Sequence, residues 1–305
     1  MTSREQPHVE LKAIRMAELR AEEAAFERHP LTRLCRAIGT IVRWLRRPFI
    51  ATLAVGLIAG CIMPMPEDPV DPDRPIKRAA VVAGLTAVDP RAYGGWHGDC
   101  PGCDVDAELF ALLCRERGLT VAELHNSQAT IDGTIAAARA AWRGLQSGDL
   151  FVLYVSGHGG QIPDGDGDEI DRLDETLCLW DGELSDDVLR TLWEEMPAGV
   201  RVLFVTDTCN SGTNYRYRPR SIRPTIPRSY SGSLIHYGGC ADGYSSFGSE
   251  QGGVWTTALL DTWTPTQTYR SWFQSAALLM PSNQTPYYAE YGHVAEAFRS
   301  TCVFQ

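Results

Sequence analysis

The chain has 305 residues, of which 44% are hydrophobic and 22% are charged. This composition is that of an ordinary globular protein, so it excludes collagen-like, fibrous and wholly disordered chains. The net charge of −10 at pH 7 argues against nonspecific nucleic-acid binding, and we expect no nucleic-acid partner. Nine cysteines are an odd number and too sparse for a disulfide scaffold, so at least one thiol must be free or modified.

Three segments precede the expected folded domain. Residues 1–48 carry ten Lys/Arg against six Asp/Glu, which makes them a basic extension in front of an acidic body. Residues 49–61 are an apolar stretch behind a positively charged one, too short to cross a bilayer as a helix and typical of the hydrophobic region of a secretory signal. Residues 62–76 are rich in proline and aspartate, and we expect an extended tether there.

Small residues at positions 59 and 60 stand directly before Cys61. This arrangement resembles a bacterial lipobox, in which Cys61 would be lipidated and become the mature N-terminus. The sequence therefore predicts a lipoprotein anchored to a membrane of the bacterial cell envelope. The alternative is a signal-anchored membrane protein in which the cysteine is incidental.

From residue 77 onward, short apolar runs alternate with stretches of helical periodicity. In chain order we predict a strand at 79–85, a helix at 104–117, a strand at 119–124, a helix at 130–145, a strand at 150–156, a helix at 186–196 and a strand at 200–206. Such alternation is typical of a mostly parallel sheet covered by helices. Residues 77–305 are therefore predicted to form one α/β domain.

Two of the predicted strands end in residues that could carry chemistry. Ser156-Gly-His158-Gly-Gly follows one strand, and Asp207-Thr-Cys209-Asn-Ser-Gly follows another. Because the carboxyl ends of parallel strands meet at one edge of a sheet, we expect His158 and Cys209 to face a shared cleft. An ionised cysteine is a strong nucleophile, and a nearby imidazole can take its proton and later protonate a leaving amine. Taken singly, each could be structural: the histidine a turn residue, the cysteine a small buried hydrophobe.

Together, these motifs resemble the caspase-like cysteine peptidases, and among them the metacaspases. The resemblance runs from about residue 79 to residue 291, and its further motifs are Gly102 to Ala107, Trp180 to Gly182, Gly239-Cys240, Gly253 to Thr256 and Asn283 to Pro286. It implies a caspase-like three-layer α/β/α sandwich with a mostly parallel central sheet. It also implies a cysteine endopeptidase whose substrates are proteins or peptides.

The resemblance assigns roles to individual residues. Cys209 would be the nucleophile and His158 the general base, and the backbone amides of Gly159 and Cys209 would form the oxyanion hole. Metacaspases select Arg or Lys in an acidic pocket, and the matching positions are Asp106, Asp207, Ser156 and Cys103. Aspartate specificity would need cationic residues, and none stands at these positions.

Three alternatives to this assignment remain open at the level of sequence. The domain could be a catalytically weak caspase-fold module that serves as a scaffold, or a caspase-fold peptidase with another preference for the residue before the cut. Cys100-Pro-Gly-Cys103 could instead be half of a zinc site, although no second cysteine or histidine pair accompanies it.

The segment between the two strand ends is strongly acidic. Residues 164–187 hold eleven Asp/Glu and one Arg. The resemblance to metacaspases implies Ca²⁺ as a cofactor, bound by Asp174, Asp186 and Asp187; a further ligand position of the family carries Arg216, which departs from the pattern. The alternative is a solvated acidic loop in which Asp186 and Asp187 occupy a helix N-terminus.

Residues 213–230 contain five arginines, three prolines and no acidic residue. A peptidase that selects arginine could cut itself in this segment. The alternative is an exposed loop without a role in processing.

Overall fold

The computed structural model describes residues 74–305 except 166, 168, 170, 216–231, 293 and 295. Its strands and helices, in chain order, are β1 Arg78–Gly84, α1 Cys103–Glu116, β2 Thr120–His125, α2 Ile131–Trp142, β3 Leu150–Ser156, β4 His158–Pro163, β5 Leu173–Leu179, β6 Gly182–Ser185, α3 Asp186–Glu194, β7 Arg201–Asp207, β8 Ser233–Gly238, β9 Gly248–Ser249, β10 Gly252–Gly253, α4 Val254–Thr262, α5 Tyr269–Ala277, β11 Tyr287–Gly292 and α6 Glu296–Ser300.

The central sheet has six strands in the order β11-β8-β7-β3-β1-β2. Five of them run parallel, and β11 pairs antiparallel with β8 at one edge. The prediction of a mostly parallel α/β sheet is therefore confirmed. The strands β1 and β3 are neighbours in the sheet but are separated in sequence by two helices and a strand, as crossover connections require.

Helices cover both faces of this sheet, which is why β3 is buried along its whole length. Phe151 packs edge-on against Trp142 of α2, with ring centroids 5.5 Å apart. Three residues later, on the opposite face, Tyr154 stacks on Phe110 of α1 at 4.2 Å. The apolar run of β3 is thus shared between two helical layers, and the result is a three-layer sandwich.

A second, antiparallel sheet is inserted in the chain between β3 and β7 of the central sheet and was not predicted. It has the order β4-β5-β6 and starts at His158. A single residue, Gly157, separates His158 from the end of β3. The register pairs His158 with Cys178 of β5. The histidine is therefore the first residue of a strand, whereas the glycines around it suggest a turn in the sequence.

The predicted element boundaries agree with the observed ones within three residues. The largest difference is in α2, which ends at Trp142 where the sequence predicts 145. The segments 1–48, 49–61 and most of 62–76, including Cys61, lie outside the described residues, and so does the arginine-rich segment from 216 to 230. Among the described helices, none has the length and apolar character needed to span a membrane.

Candidate active site

The ends of β3 and β7 lie side by side. Ser156 is the register partner of Asp207, and the amide of Gly157 donates to the carbonyl oxygen of Asp207 at 3.3 Å. His158 and Cys209 each stand two residues beyond this pair, and both are half-buried. The structure therefore brings the two residues to the same edge of the sheet.

The start of β4 packs directly on the backbone of Cys209. A Cβ atom on Gly159 would lie 2.0 Å from the carbonyl oxygen of Cys209, so only glycine fits at this close approach. The amides assigned to the oxyanion hole, those of Gly159 and Cys209, thus belong to two segments in contact.

Residues of the loop between β1 and α1 orient the imidazole of His158. Its Nε2 lies 3.3 Å from the carbonyl oxygen of Asp99, and the ring of Trp96 meets it edge-on with centroids 4.8 Å apart. A carbonyl only accepts, so this contact assigns the proton to Nε2 and leaves the lone pair on Nδ1. Nδ1 is then the atom that can take a proton from a thiol. Nothing in the sequence pattern pointed to Trp96 or Asp99.

A cavity of about 190 Å³ opens beside His158. Its wall contains all four positions matched to the acidic pocket, Asp106, Asp207, Ser156 and Cys103, together with Asp99, Cys100, Pro101, Gly157, Ser246, Phe247, Gly248 and Gly253. Five separate stretches of chain form this wall. The sequence motifs supplied four of them, and the stretch from Ser246 to Gly248 was missed.

Asp106, in the first turn of α1, is 2% exposed. It accepts hydrogen bonds from the hydroxyl of Ser156 at 2.8 Å and from the amide of Gly253 at 2.8 and 2.9 Å. Burial, and then the charge of Asp207, raise the pKa of Asp106 to about 7. Near neutral pH this carboxyl is therefore poised between its two protonation states.

Asp207 is the last residue of β7 and is 4% exposed. Its carboxylate accepts from the amide of Thr256 at 2.9 Å, from the hydroxyl of Thr256 at 2.8 Å and from the hydroxyl of Ser246. Burial raises the pKa of Asp207, and these donors oppose the rise. The two pocket carboxylates are thus fixed in place before any cation enters.

Gln284 connects the stretch from Ser246 to Gly248 to the rest of the cavity wall. Its amide nitrogen donates to the carbonyl of Gly239 at 2.9 Å and to the hydroxyl of Ser246 at 2.8 Å, and its oxygen accepts from the amide of Phe247 at 3.0 Å. The side chain is 1% exposed. The Asn283-Gln284-Thr285-Pro286 motif marked this residue in the sequence, but only the structure gives it partners.

Cys100 and Cys103 form a disulfide at the rim of the cavity. The hypothesis of half a zinc site is therefore wrong, because both sulfurs are bonded to each other and neither is a thiolate available to a metal. Cys103 lines the pocket, as its matched position implies, but as half of a disulfide.

The predicted calcium ligands are only partly grouped together. Asp186, at the start of α3, shares an acidic cluster with Glu169 and Glu175, and the three carboxylates approach within 4.8 Å of one another. Asp174 and Asp187 act on Asp186 by charge but are not members of the cluster. Glu169 and Glu175 were not assigned as ligands from the sequence, although both lie in the acidic segment.

The acidic cluster, Glu169, Glu175 and Asp186, has the chemistry of a calcium site. All three are buried, and burial and the neighbouring carboxylates raise the pKa of Asp186 to about 9. One oxygen of Asp186 accepts from the amide of Asp187 at 3.0 Å. The other, Oδ2, is buried and has no hydrogen-bond partner among the described residues. A hard divalent cation would satisfy that oxygen and neutralise the repulsion, so the residues fit Ca²⁺.

Comparison with known proteins agrees with this geometry. The chain is 31% identical over 151 residues to Metacaspase-1 of Mycosarcoma maydis, a match that covers 45% of this chain and 36% of the relative. It is 35% identical over 153 residues to Metacaspase-3 of Arabidopsis thaliana, which covers 45% of this chain and 40% of the relative. The chain thus spans less than half the length of these curated relatives.

A solved structure extends the similarity. The crystal structure of a Geobacter sulfurreducens protein superposes with a TM-score of 0.66 at 37% sequence identity, covering 75% of this chain and 98% of the other. The pattern that defines the caspase domain of peptidase family C14 matches residues 79–296, and the sheet order and strand-end motifs lie within that range. The chain therefore belongs to the caspase-domain family.

Proposed function

We propose that the protein is a cysteine endopeptidase of the metacaspase type that cleaves after arginine or lysine. The observation that carries this proposal is the pairing of Ser156 with Asp207, because it sets His158 and Cys209 at one sheet edge beside an acidic cavity.

His158 would begin the reaction by taking the thiol proton of Cys209 at Nδ1. The thiolate attacks the carbonyl carbon of the scissile bond, and the amides of Gly159 and Cys209 stabilise the charge on the oxygen. The imidazolium then protonates the leaving amine, and an acyl-enzyme remains. His158 next takes a proton from water, whose oxygen attacks the thioester and releases the carboxylate product together with free Cys209.

The acidic cavity supports selection of a cationic side chain. Asp106 and Asp207 contribute two buried carboxylates, and neither lysine nor arginine is among the residues that line the cavity. A guanidinium offers several donors in one plane, so it can serve both carboxylates at once, whereas an ammonium offers a point charge. We therefore expect arginine to be preferred to lysine.

Fluorogenic peptides with Arg, Lys or Asp before the cut test the proposal. We expect turnover in the order Arg, Lys, with none for Asp, and complete loss in Cys209→Ala. Cys302→Ala is the matched control, since Cys302 is another half-buried cysteine outside a disulfide, and it should keep full activity. A protein without Cys209-dependent turnover would be a scaffold module, and Cys209-dependent cleavage after Asp would mean another specificity.

Calcium is part of the proposal, with the acidic cluster and its neighbours Asp174 and Asp187 as the ligands. The unpartnered oxygen of Asp186 supports this placement. When bound, Ca²⁺ would supply the positive charge that the buried carboxylates lack. Isothermal titration of calcium into wild type and Asp186→Asn tests it: the wild type should release heat on binding, and the variant should bind at least about tenfold more weakly.

Self-processing in the arginine-rich segment 213–230 follows from an arginine-selective activity. The support is compositional, namely five arginines and no acidic residue. Intact-mass measurements after calcium addition should show cleavage of the wild type and none of Cys209→Ala. Equal, uncut masses would remove the idea.

We also propose that Cys61 is lipidated and anchors the protein to a membrane of the cell envelope. The support is the apolar segment 49–61 with small residues directly before the cysteine. Metabolic labelling with a palmitate analogue should mark the wild type and not Cys61→Ser. Membrane attachment without labelling would favour the signal-anchored alternative.

A further inference from the structure

The loop that carries Cys209 is bonded along its length to the loop that follows β8. Residues 209–213 form the nucleophile loop. The amide of Asn210 donates to the carbonyl of Tyr244 at 3.2 Å, and the side-chain oxygen of Asn210 accepts from the amide of Gly243 at 2.9 Å. The hydroxyl of Ser211 and the backbone of Cys240 exchange hydrogen bonds of 3.0 Å. The position of Cys209 is therefore set by the second loop.

Asp242 is the charged residue that the loop after β8 contributes to these contacts. Its Oδ1 accepts from the amides of Gly212 and Thr213, at 2.7 and 3.0 Å. Its Oδ2 accepts from the hydroxyl of Thr213 at 2.9 Å. Hydrogen bonds to a carboxylate are stronger than those between neutral groups, so Asp242 is the firmest anchor of the nucleophile loop.

The hydroxyl of Thr213 has a second acceptor, which belongs to the acidic cluster. Oγ1 of Thr213 also contacts Oε2 of Glu175, and Thr213 is buried. The other oxygen of Glu175 accepts from Gln161 at 3.0 Å. Glu175 is therefore in contact with the nucleophile loop on one side and with Glu169 and Asp186 on the other.

One hydroxyl proton thus stands between two carboxylates. A threonine hydroxyl donates a single hydrogen bond, so it serves either Glu175 or Asp242 at a given moment. Glu175 would be a weaker acceptor with a cation at the acidic cluster, because part of its negative charge would be neutralised. The hydroxyl of Thr213 would then donate to Asp242, and this bond would strengthen the anchor of the nucleophile loop.

We propose that Thr213 and Asp242 are positioning residues through which the acidic cluster controls the loop that carries Cys209. The proposal deepens the calcium-stimulated cysteine-peptidase function proposed above and rests on it. It explains how calcium bound at the acidic cluster would affect the position of Cys209 without contacting it.

Thr213→Val and Thr213→Ser form a matched pair for the test. Valine keeps the shape and removes the hydroxyl, whereas serine keeps the hydroxyl. The readouts are calcium affinity by isothermal titration and the rate at which iodoacetamide alkylates Cys209 with and without Ca²⁺, followed by peptide mass spectrometry with Cys302 as the internal reference. In the wild type we expect calcium to raise the alkylation rate of Cys209 by about threefold or more.

Thr213→Val should bind calcium nearly as well as the wild type, within about threefold, but lose the calcium effect on alkylation. Thr213→Ser should restore it. A Thr213→Val protein whose alkylation responds to calcium like that of the wild type would overturn the proposal.

Substitutions of Asp242 test directly whether this residue anchors the nucleophile loop. Asp242→Ala frees the nucleophile loop and should lower kcat by about tenfold or more, with a smaller change in KM. Asp242→Asn keeps an oxygen for the two amides, so kcat should recover. Its amide group now donates to Thr213, which leaves the hydroxyl directed at Glu175, and the calcium response should be absent.

These outcomes separate the two proposals. If the wild type binds no calcium, the proposed calcium site and the role of Thr213 are both refuted. Asp242→Ala still tests whether Asp242 anchors the nucleophile loop. If no substrate is cleaved, the peptidase function fails, and the alkylation rate of Cys209 still reports on the loop. Wild-type kcat and alkylation in Asp242→Ala would refute a positioning role for Asp242.

Discussion

Asp106 and Asp207 both lie against Gly253, and this shared neighbour lets two buried carboxylates face one cavity. A Cβ atom on Gly253 would lie 2.1 Å from an oxygen of Asp207 and 3.0 Å from an oxygen of Asp106. The amide of Gly253 donates to Asp106. The pocket is therefore organised around a residue without a side chain, which explains why glycine opens α4 in this family motif.

Asp106→Asn should change substrate selection more than it changes the fold. Asparagine keeps the size of the side chain and an oxygen for Gly253, but removes one of the two charges that would pair with arginine. We expect kcat/KM for an arginine peptide to fall by about 100-fold, since losing one partner of a buried charge pair costs about 2–5 kcal/mol. Steady-state kinetics measure this. Asp104→Asn, two positions earlier on α1, should stay near wild type; an equal loss in both variants would contradict the assignment.

Stability should depend on pH through Asp106. The pKa of this carboxyl is raised to about 7 in the folded protein, against about 4 in an unfolded chain. The folded state therefore holds a proton that the unfolded chain has released, and the free energy of unfolding must fall as the pH rises from about 4 to about 7.

Urea denaturation of Cys209→Ala, which cannot cut itself, measures this effect at pH 5 and pH 8. Adding Asp106→Asn should reduce the loss between the two pH values by at least about 1 kcal/mol. An unchanged pH dependence would mean that Asp106 ionises freely. KM for an arginine peptide should fall over the same range in the active enzyme, because the pocket gains its second charge.

The sequence predicted the parts of this site that lie on regular elements. Continuous apolar runs located β3 and β7, and parallel strands necessarily end at one edge, so the meeting of His158 and Cys209 followed from local pattern alone. The matched motifs also placed Asp106 and Asp207 in one pocket. The meeting of His158 and Cys209 needs only short-range periodicity and topology, whereas the shared pocket is what the resemblance to metacaspases implies.

What the sequence could not supply are contacts between residues far apart in the chain and without periodicity. The approach of Trp96 and Asp99 to His158 depends on the path of an irregular loop. The grouping of Glu169 and Glu175 with Asp186 depends on the unpredicted antiparallel sheet, because β5 carries Glu175 into the neighbourhood of α3. Glycines around His158 hid that sheet, since they are rare in strand interiors.

Gly253→Ala should abolish the pocket. The added methyl group would overlap Asp207 at a distance that no flexible chain end can relieve, because that carboxylate is fixed by Thr256 and Ser246. We expect kcat/KM to fall by about 100-fold or more as the carboxylate is displaced. Gly165→Ala is the control, because no atom of the described residues other than its chain neighbours lies within 4 Å of a Cβ atom there. Similar activity in the two variants would show that the cavity wall can accommodate the added methyl group.

Gln284→Leu should loosen the wall that contains Ser246 and Phe247. Leucine has a similar volume but loses three hydrogen bonds, and it leaves the carbonyl of Gly239 and the hydroxyl of Ser246 without that donor. We expect KM for an arginine peptide to rise by about tenfold while kcat changes less, and stability to fall by about 1–3 kcal/mol. Gln251→Leu alters an exposed glutamine in the same region and should change neither quantity. A drop in kcat alone would point to a role outside the pocket.

We expect the peptidase activity to be higher when the disulfide between Cys100 and Cys103 is formed than when it is reduced. Cys100 follows Asp99, whose carbonyl faces His158, and Cys103 begins the helix that carries Asp106. The bond therefore ties the group that orients the base to the group that would bind the substrate. Reduction of the bond lets these two neighbours move independently, and we expect kcat/KM to fall by about tenfold.

A phosphine reductant, which leaves no thiol adduct on Cys209, provides the measurement. Activity of the wild type should fall on reduction to the level of the double variant Cys100→Ser and Cys103→Ser, and that variant should itself be insensitive to the reductant. Cys302→Ala should respond like the wild type. If the double variant is as active as the oxidised wild type, the pocket and the base are oriented by their hydrogen bonds alone, and the disulfide has no part in catalysis.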